Sequence, residues 1–140
     1  MYKKIILPTD GSEYSSREIL RASKLLADDG EVIVLSVATE LRKTAFQRSK
    51  DIDKVNMESI EEAEQYVKEM KDAFDDSINV RTKVVVGFPA ESINQVAKEE
   101  GADLIIIASS GKSGLHRFVI GSVAEKVLKD SEIDVLLVHD

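Results

Sequence analysis

Five short apolar runs punctuate the chain, and between them the apolar residues recur at helical spacing. Lys3 to Pro8 (KKIILP), Glu31 to Val37 (EVIVLSV), Val80 to Val86 (VRTKVVV), Asp103 to Ala108 (DLIIIA) and Asp134 to Val138 (DVLLV) are β-branched, short and bounded by Gly, Pro or Asp, so each predicts a strand. The first and fourth have unbroken apolar centres, as parallel strands covered on both faces require. The intervening segments predict helices. One spans Ser15 to Ala27 and opens with the capping-box pair Ser15 and Glu18; a long one keeps Ile60, Ala63, Val67, Met70 and Phe74 on one stripe. A third runs from Pro89 to Glu100, with Pro at its start and Gly101 past its end, and a fourth from Ser122 to Lys129. Strict alternation of strand and helix, joined by right-handed crossovers, makes this an α/β fold: a doubly wound, five-stranded parallel sheet. No repeat or linker divides the pattern, so residues 1–140 are expected to form a single domain.

Composition narrows the partners. Apolar residues make up 43% and charged residues 32% of the 140, an ordinary globular balance. A net charge of -7 opposes polyanions, so neither nucleic acid nor an anionic membrane surface is expected as a main partner. Cysteine is absent, which removes disulfides, thiolate metal sites and cysteine nucleophiles together. The opening MYKKIILPTD has only Ile5 to Leu7 as an apolar run before Pro8, far short of a signal-peptide core or a spanning helix. A cytoplasmic location is therefore expected.

In a doubly wound sheet, ligands sit outside the carboxyl ends of the strands where the strand order reverses. The loops there carry PTDGSEYS, ATELRKTAFQRSKDIDK, GFPAE and the stretch ASSGKSGLHRFVIGSVAEKV. The GKS triplet is no P-loop, because Ile106 stands five positions before Gly111, where that motif needs glycine. A receiver domain's acid cluster after the first strand, an ATP-pyrophosphatase Gly-Gly pair and a dinucleotide G-x-G-x-x-G are also missing from their places. Gly121-Ser122 opens the fourth helix, whose first-turn N–H groups and dipole suit a phosphate. Gly111 allows a close backbone approach, and Lys112 and Arg117 make the 109–120 loop locally basic. Asp10 suits sugar hydroxyls, which donate hydrogen bonds to a carboxylate. Each has a plainer reading: Ser122 with Glu125 as a capping box, Gly111 and Gly114 as turn glycines, Asp10 as a helix start, the cations as solvated. His116 and His139 have no sequence neighbour that suggests metal binding or catalysis, and no nucleophile has a base beside it.

Taken in order, PTDGS, LSVATE, VVVGFPAESI and SSGKSGLHRFVIGSVAEKVL resemble the universal stress protein family along essentially the whole chain. The family's nucleotide-binding branch carries G-x2-G-x9-G-(S/T) after the fourth strand. Here Gly111, Gly121 and Ser122 match, while Ala108 replaces the first glycine. The resemblance implies a flavodoxin-like sheet of order 3-2-1-4-5. It also implies a sensor or regulatory module for stress response that binds ATP, with Mg²⁺, through Pro8, Thr9, Asp10, Val37, Ala108, Ser109, Gly111, Gly121, Ser122 and Val123. Pro8 to Asp10 would line base and ribose, and the Val37 backbone would meet adenine. No catalytic residue is assigned, and activity beyond weak ATP hydrolysis is not expected. The alternative within the family is a dimeric interaction module without nucleotide; a slow hydrolase or phosphotransferase is a third. The basic segment 41–50, with Arg42, Lys43, Arg48 and Lys50, reads as a solvated loop or as a cationic lid. The fifth strand presents Val135, Leu136, Leu137 and Val138 with no Lys, Arg or Pro, an unguarded edge that suits a homodimer.

Overall fold

Two layers of helix cover one sheet in the computed structural model, which describes residues 1–12, 15–39, 49–109 and 120–139. The elements run β1 (Tyr2–Pro8), α1 (Ser15–Leu25), β2 (Leu26–Ala38), α2 (Ser49–Asp72), β3 (Val80–Val86), α3 (Pro89–Glu100), β4 (Leu104–Ala108), α4 (Ser122–Asp130) and β5 (Asp134–Val138). All neighbours pair in parallel, in the order β3-β2-β1-β4-β5. The chain moves outward from β1 to β3, then crosses back to β4, so the order reverses between β1 and β4. Alternating side chains of the central strands feed two cores. Ile5, Leu7, Val34 and Ile106 meet α1 and α2 on one face; Ile6, Ile33, Leu35, Ile105 and Ile107 meet α3 and α4 on the other. Unbroken apolar runs in β1 and β4 are thereby buried on both sides.

Element boundaries differ from the sequence reading where packing claims a residue. The first helix ends at Leu25 rather than Ala27, because Leu26 pairs with Tyr2 at the start of β2 and is buried in the core under α1 and α2. Between the Tyr2↔Leu26 and Lys4↔Glu31 pairs, β2 advances five residues against two in β1, an irregularity that absorbs Ala27 to Gly30. Phe74 lies beyond α2, yet the N–H groups of Ala73 and Phe74 bond the Met70 and Lys71 carbonyls (3.2 and 3.1 Å), so one tighter turn keeps the ring on the buried stripe. Asp103 sits one residue before β4. Its carboxylate accepts the N–H groups of Lys3 and Lys4 (3.0 and 2.9 Å) and pins the start of β1. The third helix matches its expected span, ending at Gly101 in the left-handed conformation (φ 65°).

The two edges differ in character. On β3, Arg81 bonds Glu31 (2.9 Å) and Glu100, and Lys83 lies 3.8 Å from Glu100, so the charges that guard this edge also tie it to β2 and α3. The Arg81 guanidinium holds the Glu100 carboxyl below its usual range. On β5, the sheet ends with Val135, Leu136 and Leu137 half-buried and Val138 buried.

Candidate functional site

A cavity of about 370 Å³ opens at the carboxyl ends of the strands, beside the point where the strand order reverses. The loop after β1 supplies Pro8, Thr9, Asp10 and Ser12; β2 supplies Leu35 and Val37; β4 and its exit supply Ile107, Ala108 and Ser109; α3 supplies Pro89 and Ile93. Gly121, Ser122, Val123 and Ala124 close the far side, and Glu18 reaches in from α1. The structure thus brings Pro8, Thr9, Asp10, Val37, Ala108, Ser109, Gly121, Ser122 and Val123 to one cavity. Gly111, with Lys112, Gly114, His116 and Arg117, lies outside the described residues, as do Arg42, Lys43 and Arg48 of the basic segment. Lys50 falls in α2.

The β1–α1 loop is held by its own polar groups. Thr9 N–H continues the ladder to the Leu35 carbonyl (2.8 Å), Thr9 Oγ1 accepts the Gly11 N–H (3.2 Å), and Asp10 Oδ1 accepts the Ser12 N–H (3.0 Å). Gly11 has φ 82°, and a Cβ there would stand 2.4 Å from the ring of Tyr66 on α2. Both facts demand glycine. Gly11→Ala is expected to lower stability by about 1–2 kcal/mol, from backbone strain plus displacement of Tyr66. Chemical denaturation checks this, and a loss below about 0.5 kcal/mol would show that the loop relaxes freely.

At the opposite wall, Gly121 is the N-cap of α4, extended at φ -63° and ψ 153°, and among the described residues no side chain caps the helix. Its own N–H is spent on the Ser109 carbonyl (2.6 Å), and the first helical bond runs from Glu125 N–H to Gly121 O (2.9 Å). The N–H groups of Ser122, Val123 and Ala124 therefore precede the helical ladder and face the cavity end. Because Ser122 is the first helical residue and not the cap, the Ser122/Glu125 capping box does not form. The donors lie one position further along than the Gly121-Ser122 pair suggested, and Ala124 joins them.

Glu18 is the residue that sequence reasoning missed. Its S-x-x-E spacing reads as a helix cap, but the carboxyl is turned to β4, where it accepts the Ala108 N–H. It is 3% exposed and lines the cavity. Burial pushes its pKa up to about 8; the Ala108 bond pulls the other way, and the nearby charge of Asp10 adds to the rise. One signal was available: a Glu on the same helical stripe as Ala22, a buried position, four residues on. Leu35 and Ile93 read as ordinary core positions and gave no sign of lining a site, whereas Pro89 belongs to the GFPAE loop at the ligand-facing strand ends.

Among the described residues, no three or more His, Asp or Glu side chains gather in a way that would hold a metal ion, and no helix is long and apolar enough to cross a membrane.

Comparison with known proteins adds an independent line. The sequence model of the universal stress protein family matches residues 1–139. Universal stress protein MJ0531 of Methanocaldococcus jannaschii is 34% identical over 142 residues, covering 99% of this chain and 82% of that protein. The solved structure of MJ0577 superposes with a TM-score of 0.75 at 34% identity, covering 99% of this chain and 96% of the other. A universal stress protein solved in complex with cAMP has a TM-score of 0.61 at 27% identity, covering 99% and 97%.

Proposed function

The chain belongs to the universal stress protein family, and from that premise we propose that it is an adenine-nucleotide-binding regulatory module that takes ATP in the cavity at the β1–β4 reversal. One observation carries the reading: a single cavity is lined both by the apolar Pro8, Leu35 and Val37 and by the first turn of α4, where the N–H groups of Ser122, Val123 and Ala124 precede the helical ladder. A flat apolar base fits the first part and a polyanionic phosphate chain the second. Asp10, exposed and part of the same lining, would accept from the ribose hydroxyls. Mg²⁺ would then be held largely by phosphate oxygens, as this ion commonly is when it arrives with a nucleotide. The relative in complex with cAMP supports a second reading, in which a cyclic monophosphate fills the same slot and only one phosphate meets the helix.

Calorimetry with ATP, AMP and cAMP in the presence of Mg²⁺ separates these. Tightest binding of ATP supports the triphosphate reading, tightest binding of cAMP the second, and no heat from any of the three at millimolar ligand overturns both. Denaturing the purified protein and chromatographing the supernatant identifies any nucleotide carried through purification.

The same proposal includes a homodimer through β5, where the apolar residues Val135 to Val138 leave an edge without guarding charges. Antiparallel pairing of two copies about a twofold axis satisfies both backbones and closes the assembly. Leu136→Lys is expected to run as a monomer in light scattering at concentrations where the parent is dimeric. A variant that stays dimeric puts the interface elsewhere.

A further inference from the structure

A buried carboxyl in the wall of a site for a polyanion is an unusual pairing, since the ionised form would repel the phosphates. The geometry around Glu18 shows how the conflict is resolved. One carboxyl oxygen is occupied by the Ala108 N–H at the end of β4. From β1, the charge that acts on Glu18 is that of Asp10. On α1 itself, Arg17 turns to the His139 carbonyl at the end of β5 (2.9 Å) and Arg21 lies at 3.5 Å from the Arg17 carbonyl. From α2, Tyr66 beside Gly11 gives its hydroxyl to Glu62. Across the cavity α4 presents the uncharged Ser122, Val123 and Ala124, while His139, one residue past β5, is exposed.

Resting on the nucleotide reading above, we infer that Glu18 is a ligand-site residue that binds nucleotide only in its neutral form, so that nucleotide binding takes up a proton from solvent at this carboxyl. Neutral Glu18 keeps one oxygen on the Ala108 N–H and offers an O–H donor from the other, which suits a wall shared with ligand oxygens. Ionised Glu18 would add a second carboxylate to that of Asp10 in the wall of a cavity that takes a polyanion, which like-charge repulsion disfavours. Because burial already lifts this carboxyl to about 8, the coupling falls within a range a cell can reach. Its sign is fixed: ATP binding raises the pKa further, so affinity is highest at low pH and declines once the free protein loses the proton.

The test is ATP calorimetry on the intact protein from pH 7 to 9.5, in buffers of different ionisation enthalpy, for the parent and Glu18→Gln. The phosphate's own second ionisation, near about pH 6, lies below this window. The parent is expected to lose affinity about tenfold per pH unit above pH 8 and to take up a fraction of a proton per ATP at pH 8, while the amide variant shows neither. Equal pH profiles in parent and variant, with ATP bound by both, overturn the proton linkage and leave the nucleotide reading standing. Absence of ATP binding at every pH overturns the nucleotide reading, and the linkage with it. Should Glu18→Gln fail to fold, carboxyl-¹³C titration of the parent decides the matter: the Glu18 midpoint rises when ATP is added, or the inference is wrong.

Discussion

Gly121→Asp is expected to abolish ATP binding, lowering affinity by about 100-fold or more, while leaving the fold and thermal midpoint nearly unchanged. The reason lies in where Gly121 stands. It is the N-cap of α4 and lacks a side chain to bond the helix's first N–H groups. Asp is among the best N-cap residues, and its carboxylate would accept from the second or third helical N–H, Val123 or Ala124. The helix gains a cap at the moment the phosphate loses its donors and meets a fixed negative charge. Gly121→Ala is the control. It adds a Cβ at a buried position without charge, so a variant that loses binding as completely as Asp would assign the effect to shape, and one that keeps most of it assigns the effect to the carboxylate. Equal affinity of Gly121→Asp and the parent, with circular dichroism unchanged, removes the phosphate from this helix.

Glu18→Gln is expected to stabilise the free protein at alkaline pH and to leave it unchanged at acid pH. The folded-state pKa of about 8 lies above the ordinary 4.5, so between these values the folded protein holds a proton that the unfolded chain has released. Stability linked to this group is fully present below pH 4.5 and is lost as pH rises through 8. The ceiling on the loss is about 5 kcal/mol, less whatever relaxation or water entry allows. Glutamine cannot ionise and can still accept the Ala108 N–H, so it escapes the loss. At pH 9 the variant's thermal midpoint should stand about 5–10 °C above the parent's, with the two curves converging near pH 5. Parallel curves across that range would mean that the carboxyl is hydrated and carries its ordinary charge.

Most of the architecture was legible because few ways exist to satisfy so regular a pattern. The unbroken runs IILP and LIIIA read as parallel strands covered on both faces, and both lie inside the sheet, in β1 and β4. Pro89 and Gly101 bracketed α3 to the residue because both act through backbone geometry, which is local. Where the reading slipped, a distant partner was responsible. Leu26 left its helix for a place beside Tyr2, and the Ser122/Glu125 capping box gave way to a cap at Gly121, whose N–H goes to the Ser109 carbonyl, although the helix opens at Ser122 as read. The spacing between Gly111 and Gly121 singled out the start of the fourth helix, but spacing alone does not say which N–H groups that helix leaves outside its ladder.

By itself, then, the sequence determined the fold class, the alternation and the loops that lie at the carboxyl ends of the strands, all consequences of periodicity and of glycine and proline acting within a few residues. Only the tertiary structure decided what Glu18 is. Ser15 and Glu18 satisfy a local capping rule, and nothing within one turn of α1 reveals that the carboxyl faces Ala108, ninety positions away in sequence. Its burial, and with it the displaced pKa, arises from the walls that β1, β4 and α4 build around it. Desolvation is a property of an enclosure, and an enclosure exists only once the sheet has brought those ends together.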